Sequence, residues 1–354
     1  EDRLFLPLSL EFSSAYTLPK TTFKETLVGG LSGLTYDRKQ NLFYAVSDDR
    51  SDRTPARFYA LKLELDTDST IAQVVVENVT ILRQEDGQPF AKNTIDPEGI
   101  ALSPRNSVFI SSEGVIHEGV LPFIGEFDLK TGQLRRKIAI PEAFLPDFDR
   151  PLQPRGVQDN RAFESLTLNA QAAGMKGSEP FRLFTATESS LAQDQDLSDS
   201  KQGAKNRFLH YLVENDRATL ISEHLYQLDP KPAYAFDQGL TELLAIDQAG
   251  HFLSLERSFG PQGFQIKLFQ AVSGGATDIS TIESLRSSKG IAPIRKRLMM
   301  DLNDLDRSLD NLEGMTIGPL FPDGSQSLVL VSDDNFNDLT QSTQFLLFKL
   351  KGKK

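Results

Sequence analysis

Short runs of alternating apolar and polar residues, separated by turn residues, fill most of this chain. Around residues 57–63, Tyr59, Leu61 and Leu63 fall on one side of an extended chain and Phe58 and Ala60 on the other. That two-residue period predicts a half-buried strand. Runs at residues 34–36, 42–46 and 71–82 make a set of four with it. Turn signals separate such runs along the chain, at residues 37–41, 104–106, 130–132, 248–250 and 322–324.

A phrase recurs five times at the head of these sets: Ser32-Gly33-Leu34, Glu98-Gly99-Ile100, Glu164-Ser165-Leu166, Glu242-Leu243-Leu244 and Glu313-Gly314-Met315. Each copy is followed by a second strand ending in an acid: Asp48, Glu113, Glu188, Glu256 and Asp333. Repetition at long period with four strands per unit predicts an all-β fold, a β-propeller of four-stranded antiparallel blades. The count is five blades, or six if residues 273–298 hide an irregular one. After Glu313 there is room for only three strands. An N-terminal run at residues 6–12 or 15–18 is expected to complete the last blade, with residues 1–30 closing the ring and removing exposed sheet edges. The whole chain, 1–354, then reads as one domain with a frayed basic tail at 350–354. Residues 140–157, 193–205 and 271–293 read as long loops, and residues 301–312 as a short helix.

The first strand of a propeller blade lines the central channel and the second runs antiparallel beside it. The start of one and the end of the other share one end of the hairpin. Asp48, Glu98, Glu113, Glu164, Glu188, Glu242, Glu256, Glu313 and Asp333 are therefore expected to crowd one channel mouth. Two like charges about 5 Å apart repel by about 3 kcal/mol at an effective dielectric of 20. Protonation, arginine neighbours or a bound metal must relieve that repulsion. Arg50, Arg155, Arg161 and Arg257 are the nearby arginines, too few for nine acids, and they are candidates to grip a substrate. Oxygen donors without cysteine select calcium, and magnesium after it, over zinc or copper. Acids at strand ends can equally bond backbone amides and lock blades together, and that reading stays open.

Charge and composition narrow the classes further. A net charge of -11 argues against nucleic acid and anionic membranes as partners, and 39% hydrophobic residues without a long apolar run argue against membrane insertion. The absence of cysteine excludes disulfides, thiolate metal sites and a cysteine nucleophile. With a first residue other than Met it suggests an exported protein whose signal peptide has been removed, and a monomer is expected. Asp333-Asp334-Asn335-Phe336-Asn337-Asp338 starts like an EF-hand loop, but the sixth position is not Gly and the twelfth, Gln344, is not Glu. The four histidines are scattered, and no nucleophile elbow, P-loop or dinucleotide fingerprint is present.

Several segments carry a family resemblance: Gly29-Gly30-Leu31-Ser32-Gly33-Leu34, Ala45-Val46-Ser47-Asp48-Asp49-Arg50, Asp96-Pro97-Glu98-Gly99-Ile100, Arg155-Gly156-Val157-Gln158-Asp159-Asn160, Phe163-Glu164-Ser165-Leu166 and Val331-Ser332-Asp333-Asp334-Asn335-Phe336. From about Leu8 to Leu350 the chain resembles the phytase-like family, also described as having esterase-like activity of phytase. The resemblance implies a β-propeller. Through the β-propeller phytases it also implies calcium ions in an acidic mouth that bind phosphate and activate water. Their Asp-Ala-Asp-Asp-Pro-Ala signature does not occur here.

The resulting expectation is a metal-dependent hydrolase of small phosphoesters, with Glu98, Glu164 and Glu188 as catalytic candidates. A non-catalytic, calcium-stabilised propeller that binds a protein or small ligand is the second reading. A lactonase or esterase type of hydrolase is the third.

Overall fold

The structure, a computed structural model, describes residues 4–149, 154–170, 172–196, 202–287, 289–337 and 339–352. Five four-stranded antiparallel sheets are arranged as the blades of a propeller. Blade 1 holds β4 (Leu31–Asp37), β5 (Leu42–Ser47), β6 (Arg57–Leu65) and β7 (Ile71–Ile81). Blade 2 holds β8 (Pro97–Leu102), β9 (Ser107–Ser112), β10 (Phe123–Asp128) and β11 (Leu134–Ile138). Blade 3 holds β12 (Phe163–Leu168), β13 (Phe181–Thr187), β14 (Lys205–Val213) and β15 (Ala218–Gln227). Blade 4 holds β16 (Asp237–Ala245), β17 (His251–Gly260), β18 (Gly263–Val272) and β19 (Arg295–Asp301).

Blade 5 takes β20 (Asn311–Leu320), β21 (Gln326–Asp333) and β22 (Thr343–Gly352) from the C-terminal end and β1 (Leu8–Leu18) from the N-terminal end. The two N-terminal runs are one strand, which bends at a bulge near Ser13 as it follows β22. Leu350 to Gly352, expected to fray, are held in that ladder, where Leu8 faces Gly352; residues 353–354 lie outside the described residues. Residues 273–298 supply no sixth blade, because their last part is β19, the outer strand of blade 4. A small hairpin, β2 (Thr21–Phe23) with β3 (Thr26–Val28), precedes blade 1. The helix expected at 301–312 is one 3-10 turn, Leu302–Leu305. No helix among the described residues is long and apolar enough to cross a membrane.

The apolar side chains of each strand pack between blades, which closes the ring. Phe43 and Tyr59 of blade 1 meet Val329 and Phe345 of blade 5, and Phe109 of blade 2 meets Phe163 and Phe181 of blade 3. Similar clusters fill the other three clefts. The innermost strands approach closely. A Cβ on Gly33 would lie 2.6 Å from the Glu98 carbonyl oxygen, and one on Gly99 2.8 Å from that of Glu164. Gly33 and Gly99, second in their copies of the phrase, thus let neighbouring first strands touch. At the other end these strands enclose a second cavity of about 740 Å³, walled by side chains such as Leu102, Leu168, Leu244 and Ile317.

Candidate functional site

Each first strand holds one residue more than its partner needs. The register slips between Leu31 and Gly33, Pro97 and Ile100, Phe163 and Ser165, Leu240 and Glu242, and Leu312 and Gly314. Such bulges bend a strand and re-aim its side chains. The extra residues are Ser32, Glu98 with its Gly99, Glu164, Thr241 and Glu313. Ser47, Ser112, Thr187, Glu256 and Ser332 are the second-strand residues that pair with the residue just before each slip. The residues that follow, Asp48, Glu113, Glu188, Arg257 and Asp333, occupy equivalent places.

Blade 4 therefore departs from the expected ring by one residue. A slip of one exchanges the faces of a strand. Glu242 stands where other blades have Gly33, Gly99, Ser165 and Gly314, and its Oε1 accepts the amides of Leu243 at 3.0 Å and Leu166 at 3.3 Å. Glu256 points to the flank of the blade, accepting the Tyr226 hydroxyl at 3.0 Å and the Asp229 amide at 3.0 Å beside the Lys296 ammonium. Neither lines the mouth. The signal was present in the sequence: Ser32, Glu98, Glu164 and Glu313 precede Gly or Ser, whereas Glu242 precedes Leu243.

The other seven acids converge, joined by Asp96, which belongs to the motif Asp96-Pro97-Glu98 but was not among the expected site acids. A cavity of about 680 Å³ opens over Asp48, Asp96, Glu98, Glu164, Glu188, Glu313 and Asp333. Glu113 lies buried with them, its Oε1 accepting the Ala162 amide at 2.6 Å. Three overlapping triads have carboxylate oxygens within 4.8 Å of one another: Asp96, Glu98 and Glu113; Glu98, Glu164 and Glu313; Glu113, Glu164 and Glu188. Burial, then mutual repulsion, pushes the carboxyls of Asp48, Glu98, Glu113 and Glu164 well above the usual carboxylate range. Burial raises Asp96 to about 6, Glu188 and Asp333 to about 7 and Glu313 to about 8, against the pull of nearby arginines. Asp48 Oδ1, Glu113 Oε2 and Glu164 Oε2 are buried without any hydrogen-bond partner.

The four expected arginines separate into two groups. Arg257 crosses the mouth, donating to Glu188 at 2.8 Å, Glu313 at 2.9 Å and Asn311 at 2.8 Å. Arg50 pairs with Asp96 and donates to Asn160 at 2.7 Å. Arg161 bonds Asp237 at 2.9 Å, and Arg155 is exposed with Glu142 3.8 Å away; neither lines the cavity. Arg53, which the sequence did not single out, does line it. Its guanidinium lies 4.5 Å from the centre of the Phe336 ring and forms no direct ion pair among the described residues, although its charge acts on the neighbouring Asp52. Asp49 fixes that loop, accepting the amides of Asp52, Arg53 and Thr54 while paired with buried Arg57 at 2.9 Å.

Solved structures resemble this chain only at very low identity. The catalytic domain of the Coprinopsis cinerea GH62 alpha-L-arabinofuranosidase is 10% identical at a TM-score of 0.48, with 97% of each chain covered. A duf4221 family member from Bacteroides vulgatus is 8% identical at 0.40, covering 98% of this chain and 99% of its own. The calcium-binding protein regucalcin from Agrobacterium tumefaciens is 12% identical at 0.38, with 91% of each covered. No curated protein matches the sequence. The family described as "Phytase-like: Esterase-like activity of phytase" matches residues 26–336, nearly all of the ring. The chain belongs to the Phytase-like family.

Proposed function

We propose that this propeller hydrolyses phosphate monoesters at the acid mouth with a divalent cation, calcium ahead of magnesium. The observation that carries this reading is the set of overlapping buried carboxylate triads, with oxygens that no protein group satisfies. A buried acceptor without a partner costs about 1–3 kcal/mol, more when charged. The donor set is all hard oxygen, without histidine or sulfur, which suits calcium or magnesium. Asp96, Glu98, Glu113, Glu164, Glu188 and Glu313 would hold such an ion. When bound, it supplies positive charge that offsets the ester's and makes water a stronger acid.

The chain's own residues do the rest. Arg53 presents an uncommitted guanidinium to the phosphoryl oxygens, a geometry suited to two parallel hydrogen bonds. Arg257 holds Glu188 and Glu313 in place. Glu164 takes the proton from the attacking water in this reading, which its unpartnered Oε2 supports. A phosphorus–oxygen bond to water forms, the bond to the alcohol oxygen breaks, and the alcohol leaves with the proton that Glu164 took from that water.

Chelator-stripped protein should bind calcium in a calorimetric titration and release phosphate from a generic monoester only when the ion is restored. Equal rates with and without chelator would overturn the metal-dependent reading. Calcium binding that raises the melting temperature without turnover of any ester would favour the non-catalytic alternative.

A further inference from the structure

The cavity has two unlike rims. On the blade 1 side stands Arg53, held against Phe336. On the blade 4 side the connection between second and third strands is not a loop but a continuation of the ladder, with Phe259 opposite Phe264 and Gly260 opposite Gly263. This lip carries Phe259 and Phe264 on the cavity wall, their ring centres 4.8 Å apart. Phe236 stacks edge-on against Phe259 at 6.2 Å, and its amide donates to the Phe259 carbonyl at 2.8 Å. Phe236 is 68% exposed and Phe259 40%.

Two exposed aromatic rings, Phe236 and Phe259, backed by the half-buried Phe264 and set beside a charged floor, are a poor arrangement for stability alone, and exposed apolar patches of this kind mark contact sites. From this arrangement we infer that the site selects phosphate monoesters of flat, apolar alcohols, such as aryl phosphates. The phosphate lies over the acid floor within reach of Arg53, and the ring packs on Phe259 and Phe264. This rests on the hydrolase reading above and adds the substrate class to it. A densely phosphorylated polyol offers nothing to the lip, and its many charges outnumber the single uncommitted guanidinium.

Two esters with leaving groups of similar acidity, phenyl phosphate and 2-naphthyl phosphate, isolate the contribution of ring packing. With calcium present, kcat/KM for the naphthyl ester should exceed that for the phenyl ester by about tenfold, the scale of an added apolar contact in a pocket. Phe259→Ser should remove most of that preference. In calorimetry, 2-naphthylphosphonate should bind more tightly than methylphosphonate. Phe259→Ser should close that gap, whereas Arg53→Gln should weaken both alike.

Turnover without a naphthyl preference, or equal binding of the two phosphonates, overturns the inference and leaves the hydrolase reading standing. Selective naphthylphosphonate binding with no ester hydrolysed overturns the hydrolase reading and leaves the ligand class standing. Failure of both phosphonates to bind overturns the inference. Because the ester and phosphonate series are read on the unmodified protein, the outcome does not depend on the variant folding.

Discussion

Blades 2, 3 and 5 place an acid at both mouth positions: Glu98 with Glu113, Glu164 with Glu188, and Glu313 with Asp333. Blade 4 places Thr241 and Arg257 at the same two positions. All four carry a one-residue bulge in the first strand of an antiparallel pair. What differs is one register step of sequence, and it turns an electrostatic liability into a partial remedy. Arg257 neutralises the acids on its own side, Glu188 and Glu313, through bonds of 2.8 and 2.9 Å. Glu98, Glu113 and Glu164 form no ion pair among the described residues and are left with each other. The repeat supplies equivalent places, and the blade that breaks it decides where an added cation is needed.

The largest test of this comparison sets an acid of the ring against an acid of the flank. Glu164→Gln should lower kcat by about 10²–10⁴-fold, the range of a positioned acid–base group. It should also weaken calcium binding in calorimetry. Glu256→Gln should leave both unchanged, since that carboxylate serves Tyr226, Asp229 and Lys296. Matching losses in the two variants would show that blade 4 is no exception.

Arg257→Met probes the remedy itself. Removing one partner of a buried ion pair costs about 3–5 kcal/mol, because the other charge is left behind. Urea unfolding of the metal-free variant should show a loss of that order, and calcium should restore part of it. A loss below about 1 kcal/mol, the scale of an exposed pair, would mean that Arg257 is not what compensates Glu188 and Glu313.

Acidity separates the two sides more gently. A carboxyl whose value is raised in the fold contributes stability that is fully present below its unfolded value, 4.5 for Glu and 3.8 for Asp. That contribution is lost as pH rises through about 6 for Asp96, about 7 for Glu188 and Asp333 and about 8 for Glu313. Thermal midpoints of chelated protein should therefore fall between pH 5 and pH 8, more steeply in Arg257→Met and less so with calcium. A midpoint that rises over this interval would contradict the placement of these acids.

The fold was almost fully legible because a two-residue period and a long repeat are local patterns, and five blades with a shared last one follow from counting them. Most of the mouth was legible for the same reason, since equivalent positions in a closed ring must converge. The blade 4 step was misread because Glu242 and Glu256 look like the acids of the phrase. Only the bulge, which falls at Thr241 in blade 4, sets the register. Arg53 and Asp96 were passed over because their roles depend on tertiary neighbours: Asp49, Arg57 and Phe336 for the first, Arg50 for the second. The aromatic lip was not singled out, because strand length alone did not reveal that β17 and β18 run on past the mouth.

The smallest effect belongs to the bulge positions that carry no acid. Ser32 Oγ donates to the Glu98 carbonyl at 2.9 Å, and Thr241 Oγ1 donates to the Leu312 carbonyl at 3.3 Å. In both blades a hydroxyl joins the first strand to that of the next blade, the locking role otherwise open to an acid. Thr241→Val keeps the shape and removes the donor, so urea unfolding should show a loss of about 1 kcal/mol, the usual net worth of one hydrogen bond. Calcium affinity should not move, because the replaced group faces a carbonyl of blade 5 rather than the carboxylate triads. If affinity falls with stability, the hydroxyl positions belong to the cation site after all, and the division between locking blades and binding blades dissolves.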